Sequence, residues 1–206
     1  MLNNAFFRLA LCLCLVLALQ SCTTTQTKPA NNAITQAKYA QHLQKIVQIQ
    51  QFKLTGRIGV QADGKGFSGG LAWQHQPSND DISLTSPLGG QVAMIEKTAD
   101  KVTLTDSTGK SVSAIDAESL TQQMLGWKLP LTGLTNWALG RPSKNAIDTI
   151  ALYENGQIQS LSQDGWRIEY SNYKLQDGYE VPTKISIRSE KILVKLLIQQ
   201  WRIITY

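Results

Sequence analysis

From Phe52 onward the apolar residues of this chain recur at every second position, and a period of two commits a chain to strands. Leu54, Gly56, Ile58, Val60 and Ala62 share one face of the first strand, and Lys53, Thr55, Arg57 and Gln61 share the other. Asp63-Gly64-Lys65-Gly66 reads as a turn, after which Phe67, Gly69, Leu71, Trp73 and His75 alternate again, so the two runs form a hairpin. Short pieces follow at Ile82–Leu84, Val92–Met94, Val102–Leu104 and Val112–Ala114, separated by turn clusters such as Thr108-Gly109-Lys110. About six antiparallel strands in succession make a meander, which curves as it grows.

Three segments carry helical spacing instead. Thr35 to Phe52 places Tyr39, Leu43, Ile46, Val47 and Ile49 on one stripe, an amphipathic helix that lies on a sheet. Ala117 to Leu125 repeats the pattern at Leu120 and Met124, and Pro130 to Leu139 places Leu131, Leu134, Trp137 and Ala138 together. Gly140-Arg141-Pro142 ends that helix. Strands return near Ile150–Leu152, Ile158–Leu161, Trp166–Tyr170 and Thr183–Arg188. The last runs from Lys191 to Ile204, with Ile192, Val194, Leu196 and Ile198 on one parity and Leu193, Leu197 and Trp201 on the other. The class is α+β: a curved antiparallel sheet with helices on one side.

The amino terminus is an address. Arg8 is its only charge, Leu9 to Leu19 is an uninterrupted apolar run, and Gln20-Ser21-Cys22 follows. The run suits the core of a secretory signal and is too short to span a bilayer as a helix, which takes about 20 residues. Leu19, Ser21 and Cys22 resemble the lipobox of bacterial lipoproteins. That resemblance implies cleavage before Cys22, acylation of its thiol and new amino group, and, with Thr23 following, an outer-membrane address. The expected organisation is a signal over 1–21, an acylated cysteine and polar tether over 22–34, and a folded domain over 35–206.

Cys12 and Cys14 leave with the leader, so the mature chain keeps one cysteine and forms no internal disulfide. Its 19 cations face 15 carboxylates. Several acyl chains on Cys22 suffice for stable anchoring.

Catalytic motifs are absent. There is no G-x-S-x-G, no H-E-x-x-H and no phosphate-binding glycine loop, and the two histidines, His42 and His75, provide no metal pair. Asp80 and Asp81 are adjacent, point to opposite faces of a strand, and are expected to solvate a turn. No enzyme activity, metal or cofactor is expected. Singly scattered cations and the export signal also argue against nucleic-acid binding.

Thr85-Ser86-Pro87-Leu88-Gly89-Gly90 is less easily absorbed. Pro87 and Leu88 take the central positions of a turn, where two glycines offer no side chain to cover the leucine. Leaving Leu88 wet forfeits about 1.5–3 kcal/mol, so it either folds back onto the sheet edge or probes a membrane or acyl chain.

Leu84–Gly89 (L-T-S-P-L-G), with Leu71–Gln74 (L-A-W-Q), Gly126–Leu131 (G-W-K-L-P-L), the L-x-x-W-x-x-G-x-P run from Leu134 to Pro142 and the closing strand with Trp201, is similar to the LolB family of outer-membrane lipoprotein receptors. The resemblance covers essentially the whole chain. It implies an open, half β-barrel with helices lidding an apolar concave face. It further implies receipt of triacylated lipoproteins from a periplasmic LolA-like carrier and their insertion into the inner leaflet of the outer membrane, without nucleotide. Pro87, Leu88 and Gly89 become the membrane-insertion loop. Acyl-chain lining is expected of Ile58, Val60, Leu71, Trp73, Leu84, Val92, Met94, Val102 and Leu104 from strands, and of Leu134 and Trp137 from the lid. The expected partners are the carrier, acylated cargo and outer-membrane phospholipid, with the receptor itself a monomer at the periplasmic face. The competing reading is a structural or assembly lipoprotein that binds another envelope protein through a sheet edge.

Overall fold

The computed structural model describes residues 32–62 and 64–204. The expected signal, Cys22 and most of the tether lie outside the described residues. Helix α1 (Ala33–Ile46) comes first, two residues before the expected domain boundary. Asn32 caps it by accepting a hydrogen bond from the Thr35 amide (2.9 Å). Thr35, His42 and Ile46 are buried with Tyr39 between them, a stripe of four-, three- and four-residue steps. The helix ends well short of Phe52. Val47 is half exposed, and Ile49 is buried from the connecting turn rather than from a helical face.

Six strands follow: β1 (Gln51–Ala62), β2 (Lys65–Gln76), β3 (Asn79–Thr85), β4 (Gln91–Thr98), β5 (Val102–Asp106) and β6 (Ser111–Ala114). Two short helices, α2 (Ala117–Leu125) and α3 (Leu131–Ala138), lead to β7 (Ile147–Leu152), β8 (Ile158–Gln163), β9 (Trp166–Gln176), β10 (Tyr179–Arg188) and β11 (Ile192–Ile204). All 11 strands form one antiparallel sheet in the order β6-β5-β4-β3-β2-β1-β11-β10-β9-β8-β7. Each half is a meander of hairpins, and the halves join where the first strand pairs with the last, from Gln51 opposite Ile204 to Ala62 opposite Ile192. The edge strands β6 and β7 do not pair, so the sheet stays open. The chain passes from one edge to the other through α2 and α3, which places both helices against the same face. No helix among the described residues is long and apolar enough to cross a membrane.

Alternation fails where the ladder carries an extra residue. In β11, Ile198 faces Gly56 and Gln200 faces Thr55, which leaves Gln199 unpaired as a bulge. The bulge reverses parity, so Trp201 lies buried on the same face as Leu196 and Ile198, not with Leu193 and Leu197 as strict alternation predicts. Glycine is required opposite the bulge: a β-carbon on Gly56 would stand 2.2 Å from the Leu197 carbonyl oxygen. A second bulge carries β10 through Pro182, where the sequence pattern starts the strand only at Thr183.

Candidate functional site

The concave face carries one continuous apolar cluster. Ile58 and Val60 on β1, Leu71 and Trp73 on β2, Leu84 on β3, and Val102 and Leu104 on β5 all point into it and are buried. From the helical side Leu134 and Trp137 meet them. One of the expected residues does not belong there. Met94 is on the opposite face and 38% exposed, while its neighbours Ala93 and Ile95 point inward and are fully covered. Val92, the extra residue of a bulge between β3 and β4, is half buried and packs against the core. The run Val92-Ala93-Met94-Ile95 is apolar on both parities, so side-chain size alone favours the wrong one.

This face is packed in the structure described. Leu84, Ala93, Ile95 and Leu104 have no surface open to water, so no water-sized space borders them. The indole of Trp137 fills the middle of the cover. Its Nε1 donates to Gln163 Oε1 (3.1 Å), and its carbonyl accepts from the Tyr170 hydroxyl (2.9 Å). Gln163, fully buried at the end of β8, also accepts from the Ser143 amide (2.9 Å) and donates to the Asn145 carbonyl (2.6 Å). It therefore fastens the segment after α3 to the sheet. Trp127, after α2, stacks on Phe67 of β2 with ring centres 6.3 Å apart.

Arg141 performs a similar service for α1. Its Nη1 donates to the carbonyls of Ile46 (2.9 Å) and Ile49 (3.3 Å), and its Nε donates to Asn136 Oδ1 (2.9 Å). The helix carbonyls left open at a C-terminus receive a cation, and α1 is tied to the end of α3. Gln163 and Arg141 have no sequence signature in this role, because their partners are distant in sequence: Ser143 and Asn145 lie 20 and 18 residues from Gln163, and the α1-end carbonyls 95 and 92 residues from Arg141.

Asp80 differs from expectation. Instead of solvating a turn it is buried on the concave side of β3, where it accepts from Trp73 Nε1 (2.9 Å), contacts His75 Nδ1 (2.7 Å) and pairs with Lys97 Nζ (3.6 Å). Phe52 lies against His75 with ring centres 5.1 Å apart. Asp81 points the other way and accepts from the Asn79 amide group. A buried carboxylate with three donors ties the end of the β2–β3 hairpin together.

Burial also acts on His42. Desolvation pushes its pKa below the ordinary 6.5; Glu180, with Oε2 3.9 Å from Nδ1, opposes this, and Lys45 adds to it. Lys38 lines the same cleft, and the Tyr173 ring meets the imidazole edge-on. The folded state thus favours neutral imidazole, and the unfolded chain binds a proton more readily just below pH 6.5. Stability conferred by this group is complete above about 6.5 and declines as pH falls toward the depressed value. Urea midpoints at pH 7.5 and 5.5 should show that decline, and His42→Gln should reduce the difference.

The Pro87–Leu88 turn is held without help from the leucine. The Gly89 amide donates to the Ser86 carbonyl (2.9 Å), the Ser86 amide donates to the Gly90 carbonyl (2.7 Å), and the Gly90 amide reaches Ser86 Oγ (3.1 Å). Gly89 has φ +87°, a conformation that suits glycine. Leu88 stands 98% exposed at the tip. Of the two possibilities left by the sequence, folding back onto the sheet is not the one adopted.

A family model described as outer membrane lipoprotein LolB matches residues 50–201. Outer-membrane lipoprotein LolB of Francisella tularensis subsp. tularensis (strain WY96-3418) is 32% identical over 198 residues, covering 96% of this chain and 95% of the relative. The protein of the same description from Pseudomonas syringae pv. syringae (strain B728a) is 31% identical over 166 residues and 81% of each chain. Among solved structures, a putative outer membrane lipoprotein-sorting protein domain from Vibrio parahaemolyticus superposes with a TM-score of 0.52 at 10% identity, covering 84% of this chain and 94% of that one. At that identity the likeness concerns the fold.

Proposed function

This chain belongs to the LolB family of outer-membrane lipoproteins, and from that premise we propose that it receives acylated lipoproteins from a periplasmic LolA-like carrier and inserts them into the inner leaflet of the outer membrane. Cys22 carries the lipid anchor after removal of residues 1–21, and the residues between it and the Asn32 cap of α1 provide the tether, leaving the domain as a monomer at the periplasmic face. No catalytic step is assigned to it.

The observation that carries the reading is the one-sided sheet: an apolar concave face whose cover is two short helices rather than a second sheet. Exposing an acyl chain of about fifteen methylenes to water costs on the order of 12 kcal/mol, so cargo has to pass from one apolar cavity to another. Such a transfer nearly cancels that cost. A tenfold preference for the receiving site takes only about 1.4 kcal/mol, and no nucleotide is needed. Because the concave face is packed here, cargo makes its own room by displacing Leu134 and Trp137 from the strand residues they cover. Ile58, Val60, Leu71, Trp73, Leu84, Val92, Val102 and Leu104 then line the acyl chains, joined by Ala93 and Ile95 in place of Met94.

Titrating the purified mature protein with a triacylated peptide tests this. Saturable binding is expected, with a change in tryptophan emission as the cover moves; the same peptide without its acyl chains should not compete. A folded protein that binds neither peptide would overturn the reading in favour of an assembly role.

A further inference from the structure

Across the central strands the convex face is charged in one sense only; its acids lie further out, among them Asp81 on β3, Glu96 on β4 and Glu169 on β9, which faces Ser186 of β10 and pairs with Arg167 (2.9 Å). Strands β1, β2 and β11, adjacent at the centre, contain no Asp or Glu, and β10 contains only Glu180, near its start. Outward from these strands point Lys53, Arg57, Lys184, Arg188, Lys195 and Arg202, all exposed. Among the described residues none of the six takes part in an ion pair. The ladder sets them side by side: Lys53 faces Arg202, and Arg57 and Lys184 flank Leu197 from its two sides. Like charges this close repel, and a sheet of this kind lowers its energy by meeting an anionic surface.

The patch is also apolar at its centre. Leu197 is 48% exposed between Arg57 and Lys184, and half-buried Leu193 lies beside Arg188. Two shallow clefts of about 360 and 340 Å³ share Gly59, Ser68 and Lys195, and a β-carbon on Gly59 would meet nothing within 4 Å. Leucines set among unpaired cations match the boundary of a bilayer, where phosphates lie just above glycerol and acyl carbons. An acidic protein surface satisfies the cations but has no need of the leucines. The placement also agrees with the probing loop. Thr85, Gly70, Arg57, Leu197 and Lys184 lie in one row across the strands, and Leu88 follows Thr85 by three residues.

We propose that the convex face over β1, β10 and β11 is a docking surface for anionic phospholipid, with Arg57, Lys184 and Lys195 contacting headgroup phosphates and Leu197 resting at the interface. The anchor keeps the protein near the membrane; this face sets how the domain lies on it. The inference goes beyond cargo transfer and concerns orientation.

Full-length mature protein carrying its own lipid anchor provides the test, with a fluorophore on Ser186→Cys at the patch. Energy transfer to a headgroup-level acceptor is measured in vesicles of phosphatidylcholine alone and in vesicles with a third of that lipid replaced by phosphatidylglycerol. Transfer is expected to rise with phosphatidylglycerol and to return to the neutral baseline in about 0.5 M salt, where screening is strong. Replacing Arg57, Lys184 and Lys195 together by Gln should weaken docking on the order of a hundredfold and hold transfer at that baseline. These side chains are exposed, and an unchanged melting temperature shows that the triple variant is folded. Equal transfer in both vesicle types, or a rise that the triple variant retains, overturns the proposal. So does a patch that responds to an acidic carrier protein but not to phosphatidylglycerol. Cargo delivery is scored separately, so its failure leaves this readout intact.

Discussion

Leu88→Glu is expected to fold normally and accept acylated cargo, yet fail to deliver it to vesicles. Nothing in the turn depends on the leucine side chain, because the hydrogen bonds run through the backbone and Ser86 Oγ. With 98% of its surface exposed, its loss costs little stability; surface substitutions of this kind stay within about 0.5 kcal/mol. The cost falls on the membrane-inserted state. Forgoing the burial of leucine removes about 1.5–3 kcal/mol from that state, and a carboxylate adds a desolvation penalty. A delivery rate that passes through insertion should drop by at least about ten- to a hundredfold. The measurement is transfer of an acylated lipoprotein to liposomes, beside cargo binding and a thermal melt. Leu88→Ile should retain most delivery. Full delivery by Leu88→Glu would remove this residue from the mechanism.

Trp137→Ala is expected to carry the largest stability penalty, about 3–5 kcal/mol. The indole is 1% exposed at the middle of the helical cover, and its loss opens a cavity against the sheet. Gln163 Oε1 loses one donor but keeps the Ser143 amide, so little of the penalty comes from an unmet polar atom. Trp137→Phe separates volume from the hydrogen bond and should cost far less. Urea denaturation at neutral pH gives both values. A penalty below about 1 kcal/mol for the alanine variant would mean that α3 is loosely held and that cargo meets little resistance on entry. A full penalty means that cargo has to replace contacts of comparable worth, which acyl chains buried in the same place supply.

The hairpins are legible because each depends on neighbours in sequence. Alternation in β1 and β2, the turn at Gly64 and the Pro87–Leu88 tip require no knowledge of the remainder of the chain. Ala117–Leu125 likewise coincides with α2 from its spacing alone, ended by Gly126 in the left-handed conformation. The errors share a different cause. Counting by twos places Met94 and Trp201 on the wrong faces, because bulges at Val92 and Gln199 interrupt the count. A bulge reflects the fit of two strands, and one strand's residues do not reveal it. The end of α1 behaves similarly: Val47 and Ile49 continue a helical stripe, yet the chain turns there to begin β1, with Arg141 from far downstream holding the last carbonyls.

By itself, then, the sequence determined an antiparallel meander with helices to one side and a leucine at a turn tip. Those features rest on local periodicity and turn chemistry. Only the tertiary structure decided that the sheet closes its halves through β1 and β11, that Asp80 lies inside, that the concave face is filled by Trp137 and its neighbours, and that six cations share one unpaired outer face. Each of these is set by residues distant in sequence that compete for the same space or the same charge, and that competition is resolved only when the strands have taken their register.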